Sequence, residues 1–186
     1  NYEIGDDKAL RVNMFGEDLE NHRDFYYGDS FGVNPTLKMD LGDGSMLDIS
    51  YEFLSQERFI DRGIPTSDTT GFPIESLKDT FFGDPAENYS THEAHIFRLL
   101  FEHEINDTFT GRFSATHNDH DKLYINMYAN DYDEANPLVV ELDGYLDTTQ
   151  RSTSILSYEI TGEVETGGII HNLIAGFEYM SMDNDN

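Results

Sequence analysis

The sequence predicts an all-β chain, an antiparallel transmembrane β-barrel segment of about seven strands with long extracellular loops and short periplasmic turns. Three observations predict it. Several stretches are apolar on one parity only: Phe31, Val33, Pro35, Leu37, Met39 and Leu41; then Leu47, Ile49, Tyr51 and Phe53; then Phe97, Leu99 and Phe101, closed by Ile105. Residues of the other parity, such as Lys38, Asp40, Asp48 and Glu52, are polar. Side chains alternate across a strand, so each segment has one greasy face and one wet face. The joints between these segments alternate between very short and very long, the arrangement that an outer-membrane barrel requires. No stretch approaches the roughly 18 consecutive apolar residues of a membrane-spanning helix, whereas alternating strands dilute the hydropathy signal without losing the ability to insert.

Each strand follows from its own pattern. The first is expected at Ala9 to Gly16, with Leu10, Val12 and Met14 on one face. The second runs from Phe31 to Leu41, the third from Met46 to Gln56 and the fourth from His92 to Ile105. The fifth, Phe109 to His117, sets Phe109, Phe113 and Ala115 against Thr110, Arg112, Ser114 and Thr116. The sixth, Ser152 to Thr161, carries Leu156, Tyr158 and Ile160. The seventh, Ile169 to Met180, carries Leu173, Ala175, Phe177 and Tyr179. Short joints fall at 42–45, at Asn106-Asp107 and between Gly162 and Gly168. Long ones are expected at Gly16 to Ser30, Gln56 to Thr91 and Asn118 to Gln150. An odd count with two open edges would leave backbone groups unpaired in lipid. Either one strand is missing from the count or the chain is a slice of a larger barrel. Its beginning at Asn1, without an initiator Met or a signal peptide, and its end at 183–186, where a further loop is expected, favour the slice.

Composition narrows the function. The 186 residues carry 11 basic and 37 acidic side chains, a formal net charge of −26, so phosphate backbones are repelled and nucleic acid is a poor partner. Much of the acid falls in the expected third long loop, for example Asp119, Asp121, Asp131, Asp133, Glu134, Glu141, Asp143 and Asp147, where a solvated surface explains it. Cysteine is absent, which removes thiolate nucleophiles and Cys-based zinc sites. His92 and His95 stand three apart and point to opposite faces of a strand, a poor chelate; His117 and His120, with Asp119 and Asp121 beside them, are the better candidate for a divalent ion. There is no Gly-x-Ser-x-Gly elbow and no phosphate-cradling Gly-rich loop. The chain is therefore not expected to be an enzyme, and no cofactor or resident metal is expected.

A resemblance adds to this. The run Ser50-Tyr51-Glu52-Phe53-Leu54, then Asp61-Arg62-Gly63-Ile64-Pro65, Phe81-Phe82-Gly83-Asp84-Pro85 and Asn88-Tyr89 resembles the barrel of TonB-dependent siderophore receptors. So do Val33-Asn34-Pro35-Thr36-Leu37, Phe101-Glu102-His103 and the stretch from Thr166 to Tyr179. The resemblance implies the middle part of a barrel of about 22 strands, with the plug domain and the TonB-engaging segment absent from this chain. It implies an outer-membrane location in a Gram-negative bacterium, ferric siderophore as ligand, outer-membrane lipid as surroundings, and coupling to the TonB complex through the missing plug. Candidate ligand contacts are Arg62, Phe81, Phe82 and Tyr89 in the second long loop and Tyr124, Tyr128 and Tyr132 in the third. Each has a plainer reading. Gly63, Pro65, Gly83 and Pro85 shape the loop, Phe81 and Phe82 pin it to the barrel wall, and the tyrosines belong to an aromatic girdle. The alternative from another class is a soluble β-barrel or sandwich with the greasy parity turned inward, binding a small apolar ligand.

Overall fold

In the computed structural model, which describes residues 2–133, 135–136 and 139–185, the chain forms one antiparallel sheet in which each strand pairs with the next in sequence. The strands are β1 (Tyr2–Glu3), β2 (Lys8–Leu19), β3 (Gly28–Gly42), β4 (Ser45–Phe59), β5 (Tyr89–Glu104), β6 (Phe109–Tyr132), β7 (Val140–Thr166) and β8 (Ile169–Asp185). The expected count of seven is corrected to eight by the two-residue β1, too short to carry an alternating pattern. The sheet remains open, with β1 and β8 at its edges.

Two of the short joints are tight for a stated reason. Gly42 pairs with Ser45 across Asp43-Gly44, and both residues have positive φ (50° and 66°). Thr166 pairs with Ile169 across Gly167-Gly168, also both positive. Two left-handed residues in a two-residue loop match the twist of a hairpin. Between β5 and β6 the Asn106 side chain accepts from the backbone N–H groups of Thr108 and Phe109, at 2.9 and 3.0 Å.

The expected face assignment holds across the sheet. Residues directly opposite in an antiparallel ladder lie on one face, and pairing links Leu10, Leu37, Ile49, Leu99, Ala115, Leu156 and Tyr179 into one row. The next row links Met39, Leu47, Phe101, Phe113, Tyr158 and Phe177. The apolar belt slopes. Its highest member on β3 is Phe31, whose row runs through Ser55, Glu93, Asp121 and Gln150 to Asp185, whereas its highest member on β8 is Tyr179, six residues below Asp185. Six residues at about 3.4 Å is a drop of about 20 Å across five strand spacings of about 4.8 Å, a slope of about 40°. That is the tilt of strands in an outer-membrane barrel, about 35–45°.

The greasy rows do not close on themselves. Among the described residues only Phe59 and Ala94 are buried hydrophobics, while Phe177 is 67% exposed and Phe97 42%. The enclosed core that a soluble sandwich would build from Leu37, Ile49, Phe101 and Phe177 is not formed. No helix in the described residues is long and apolar enough to cross a membrane.

Strand lengths depart most from expectation. The stretch 118–150 is not a loop: β6 has 24 residues and β7 27, and their ladder continues to Tyr132 and Val140. Asp119, Asp121, Asp131, Glu141, Asp143 and Asp147 accordingly sit on strands, and Glu134 lies outside the described residues. β8 likewise runs through 183–185, where a loop was expected. The first long joint shrinks to 20–27, and the second spans 60–88 with a short 3-10 helix at Glu75–Leu77.

Candidate ligand-binding site

Above the belt, the 60–88 segment is tied to the sheet by a few polar side chains. Asn88 is fully buried, and its amide is saturated: Nδ2 donates to the carbonyls of Ile60 (3.0 Å) and Met127 (2.7 Å), while Oδ1 accepts from the N–H groups of Met127 (3.0 Å) and Asp84 (3.2 Å). One side chain thus replaces ladder hydrogen bonds where β4 and β5 end beside the continuing β6. Gly83 packs against it with φ +154°, and a Cβ there would come within 2.8 Å of both Asn88 Nδ2 and the Met127 carbonyl oxygen. The loop-shaping reading of Gly83 stands on that contact.

A second tie comes from the 20–27 joint. Arg23 grips the Asp61 carboxylate through Nε and Nη2, and its other N–H groups reach the carbonyls of Lys78 (2.5 Å) and Thr80 (3.1 Å). Asp61 Oδ1 also accepts from the Gly63 N–H at 2.8 Å, which turns the chain sharply after Arg62. Phe81 joins Phe59 and Phe25, with ring centroids 4.9 and 5.9 Å away. It pins the loop. Tyr27 beside them donates to Glu57 at 2.7 Å; burial, reinforced by that carboxylate, pushes its pKa up to about 12.

With the loop held this way, Arg62 projects over the polar face of β6 and β7. Its Nη1 donates to the hydroxyls of Tyr145 (3.1 Å) and Tyr124 (3.5 Å), and its guanidinium lies 5.2 Å from the centre of the Tyr128 ring. The Tyr124 and Tyr145 rings stack at 5.6 Å and 21°, and Tyr128 donates to Asp143 at 3.4 Å. The Tyr124 hydroxyl, followed by that of Tyr145, raises the pKa of the Arg62 guanidinium above its ordinary value. Arg62 is exposed and makes no ion pair among the described residues. Between Tyr124 and Tyr128 on the same face lies Asn126, 1% exposed, whose Oδ1 has no partner. A cation and three aromatic hydroxyls make a surface suited to hydrogen-bonding and stacking with a flat, oxygen-rich ligand.

Of the residues predicted from sequence, the structure brings together Arg62, Tyr124 and Tyr128. Their setting is corrected: Tyr124, Tyr128 and Tyr132 belong to β6, not to a loop, and Tyr89 opens β5, paired with Phe59 and Ile125. Tyr132 closes β6 and stands opposite Val140, apart from the cluster, and Phe82 is half-buried in the 60–88 segment. Tyr145 and Arg23 escaped the sequence reading, and Asn88 stood in it only as part of the Asn88-Tyr89 resemblance, with no role given. Arg23 carried a usable signal, as one of only 11 basic residues in a strongly acidic chain. The histidine pairs sort by parity. His117 bonds Ser154 and Asp119 on the apolar side, whereas His120 meets His92 on the polar side, so His117 and His120 do not share an ion. Among the described residues no group of three or more His, Asp or Glu is placed to hold a metal.

Comparison with known proteins shows what the chain is similar to. The chain is 26% identical over 190 residues to the metal-pseudopaline receptor CntO of Pseudomonas aeruginosa, covering 96% of this chain and 25% of that protein. It is 25% identical over 211 residues to the probable TonB-dependent siderophore receptor PiuA of Acinetobacter baumannii, covering 100% of this chain and 26% of that one. This chain is related to TonB-dependent siderophore receptors. No family model matches it. Among solved structures, its fold matches the siderophore receptor PiuA from A. baumannii with a TM-score of 0.82 at 23% identity, over 99% of this chain and 27% of that one. It matches the ferric-catecholate import receptor Fiu from E. coli with a TM-score of 0.79 at 23% identity, over 99% of this chain and 31% of that one. The chain spans about a quarter of the length of the curated relatives. Its eight strands thus have the fold of a segment of these receptors' barrels. Both of these relatives are named as receptors.

Proposed function

We propose that the parent protein captures a metal chelate, of the ferric-siderophore class, at the outer surface and imports it through the barrel under TonB control. The observation that carries this reading is the Arg62 guanidinium held between Tyr124, Tyr128 and Tyr145, with its charge unneutralised. Chelates present flat aromatic or amide groups and, in many cases, residual negative charge, and such a cation in an aromatic frame recognises both. Phe81 supports the site by pinning the loop. The apolar belt faces lipid and the polar face borders the lumen, which matches the 40° slope and the placement of charge. Arg11, Lys38, Arg58, Arg98, Arg112, Lys122 and Arg151 all share the polar face, and several are paired there, as Arg98 is with Glu52 and Arg112 with Glu102 and Glu159. The plug and the TonB-engaging segment belong, in this reading, to other parts of the parent.

The test uses the complete receptor. Iron-chelate uptake by cells carrying Arg62→Gln, or Tyr124→Ala with Tyr128→Ala, should require at least about tenfold more chelate for half-maximal rate, the loss of one charge-assisted contact. Unchanged half-saturation in both variants would remove the cluster from the binding site.

A further inference from the structure

One strand row below Tyr124, the polar face carries a second concentration of cations that nothing in the cluster above uses. His92 Nε2 and His120 Nδ1 are 3.1 Å apart with rings stacked at 5.4 Å and 17°, so one proton is shared between them. Lys122 stands opposite His92, and Arg151 stands opposite His120. Lys122 makes no ion pair among the described residues, and the Arg151 guanidinium is met by the neutral Asn184 amide at 2.9 Å. A cavity of about 350 Å³ lies among His120, Lys122, Arg151, Thr149, Thr153 and Met182. Asn118 also borders it, with a side-chain oxygen that is buried and unpartnered, and turning that amide would present its N–H groups instead.

Charge is sorted across the thickness of the sheet. Along β7 the polar face carries no acid between Asp147 and Glu159, and along β6 none between Tyr124 and Arg112. The acids of the same rows, Glu93, Asp119, Asp121 and Asp183, all lie on the opposite face. In a chain of net charge −26, a stretch of the polar face that is free of acid from the row of Lys122 and Thr149 down to Glu159, with Asp147 bordering it one row above, is a local positive site.

We propose that Lys122 and Arg151, with His120 and Asn118 as hydrogen-bonding partners, form an anion-binding station on the polar wall below the Arg62 cluster, taking a carboxylate or phenolate oxygen group of the chelate. The identity of that group rests on the receptor reading above. The positive site itself does not.

The test is therefore independent of any chelate. The chain has no cysteine, so Thr149→Cys in the complete, membrane-inserted receptor places one thiol in the cavity, read by mass spectrometry of its peptide. Rates with an anionic sulfonatoethyl and a cationic trimethylammonioethyl methanethiosulfonate are each normalised to those of a free thiol. The anionic reagent should be favoured by about tenfold, the enrichment such a local potential produces. Adding Lys122→Gln and Arg151→Gln should bring the ratio to about one, whereas adding Arg62→Gln should change it by less than about twofold. Millimolar inorganic pyrophosphate should slow anionic labelling about threefold or more in the presence of Lys122 and Arg151, and not in their absence. A ratio at or below one, a high ratio that survives loss of Lys122 and Arg151, or labelling indifferent to pyrophosphate would each overturn the station. If these results hold while Arg62→Gln leaves uptake untouched, the station stands and the upper cluster falls.

Discussion

Asn88 is the point at which one side-chain change tests the whole support of the upper site. In Asn88→Ala, the N–H of Met127 and the carbonyls of Ile60 and Met127 lose their partner in a fully buried place. An unsatisfied buried backbone group costs about 1–3 kcal/mol. Taking about 2 kcal/mol for the Met127 N–H alone, local opening becomes about 30-fold more frequent. Amide exchange by mass spectrometry on the complete receptor should show that acceleration in peptides covering 122–132 and 60–88, with the belt strands unchanged. Asn88→Asp sharpens the argument because it is isosteric. It keeps both acceptor contacts but sets a carboxylate against two carbonyl oxygens, so its exchange should be at least as fast as in the alanine variant. Wild-type protection in Asn88→Asp would refute the assigned donor and acceptor roles.

Three further outcomes follow from named contacts. Leu99→Arg puts a charge in the middle of the apolar rows, at a cost of up to about 2–4 kcal/mol if that face meets lipid, and should abolish heat-modifiable barrel on gels; Arg98→Gln, on the other face, should assemble normally. Arg23→Lys cannot bridge the Asp61 carboxylate and two carbonyls at once; losing about 3 kcal/mol at this half-buried pair, the 60–88 loop should be cleaved faster by trypsin and chymotrypsin while the barrel stays intact. Tyr27, with a folded pKa of about 12 against an unfolded value near 10, binds its proton more tightly when folded. Its contribution to holding the loop is therefore complete below about pH 10 and is lost as pH rises through about 12. In Glu57→Gln, ultraviolet titration should show one tyrosine ionising at lower pH than in the parent.

What could be read from the sequence follows the reach of the apolar belt. Where Leu47, Ile49, Tyr51 and Phe53 alternate with Asp48, Ser50 and Glu52, strand, face and register all came out as expected, because a one-residue slip exchanges the greasy face for the polar one. Above the belt the signal disappears. Both faces of 118–132 carry polar residues, so the pattern reads as loop, yet the ladder with β7 continues unbroken through most of it. Backbone hydrogen bonds hold those strands, and backbone hydrogen bonds leave no mark on side-chain alternation.

The chain order alone thus determined the class of fold and the apolar face of each belt strand, and it singled out Arg62, Tyr124 and Tyr128 as separate candidates. Only the tertiary structure decided that Tyr145 completes their frame, that Asn88 and Arg23 hold the loop in place, and that His92, His120, Lys122 and Arg151 meet on one wall. The physical reason is the register of the β6–β7 ladder and the path of the 60–88 segment. Each joins residues dozens of positions apart through contacts that no local periodicity encodes.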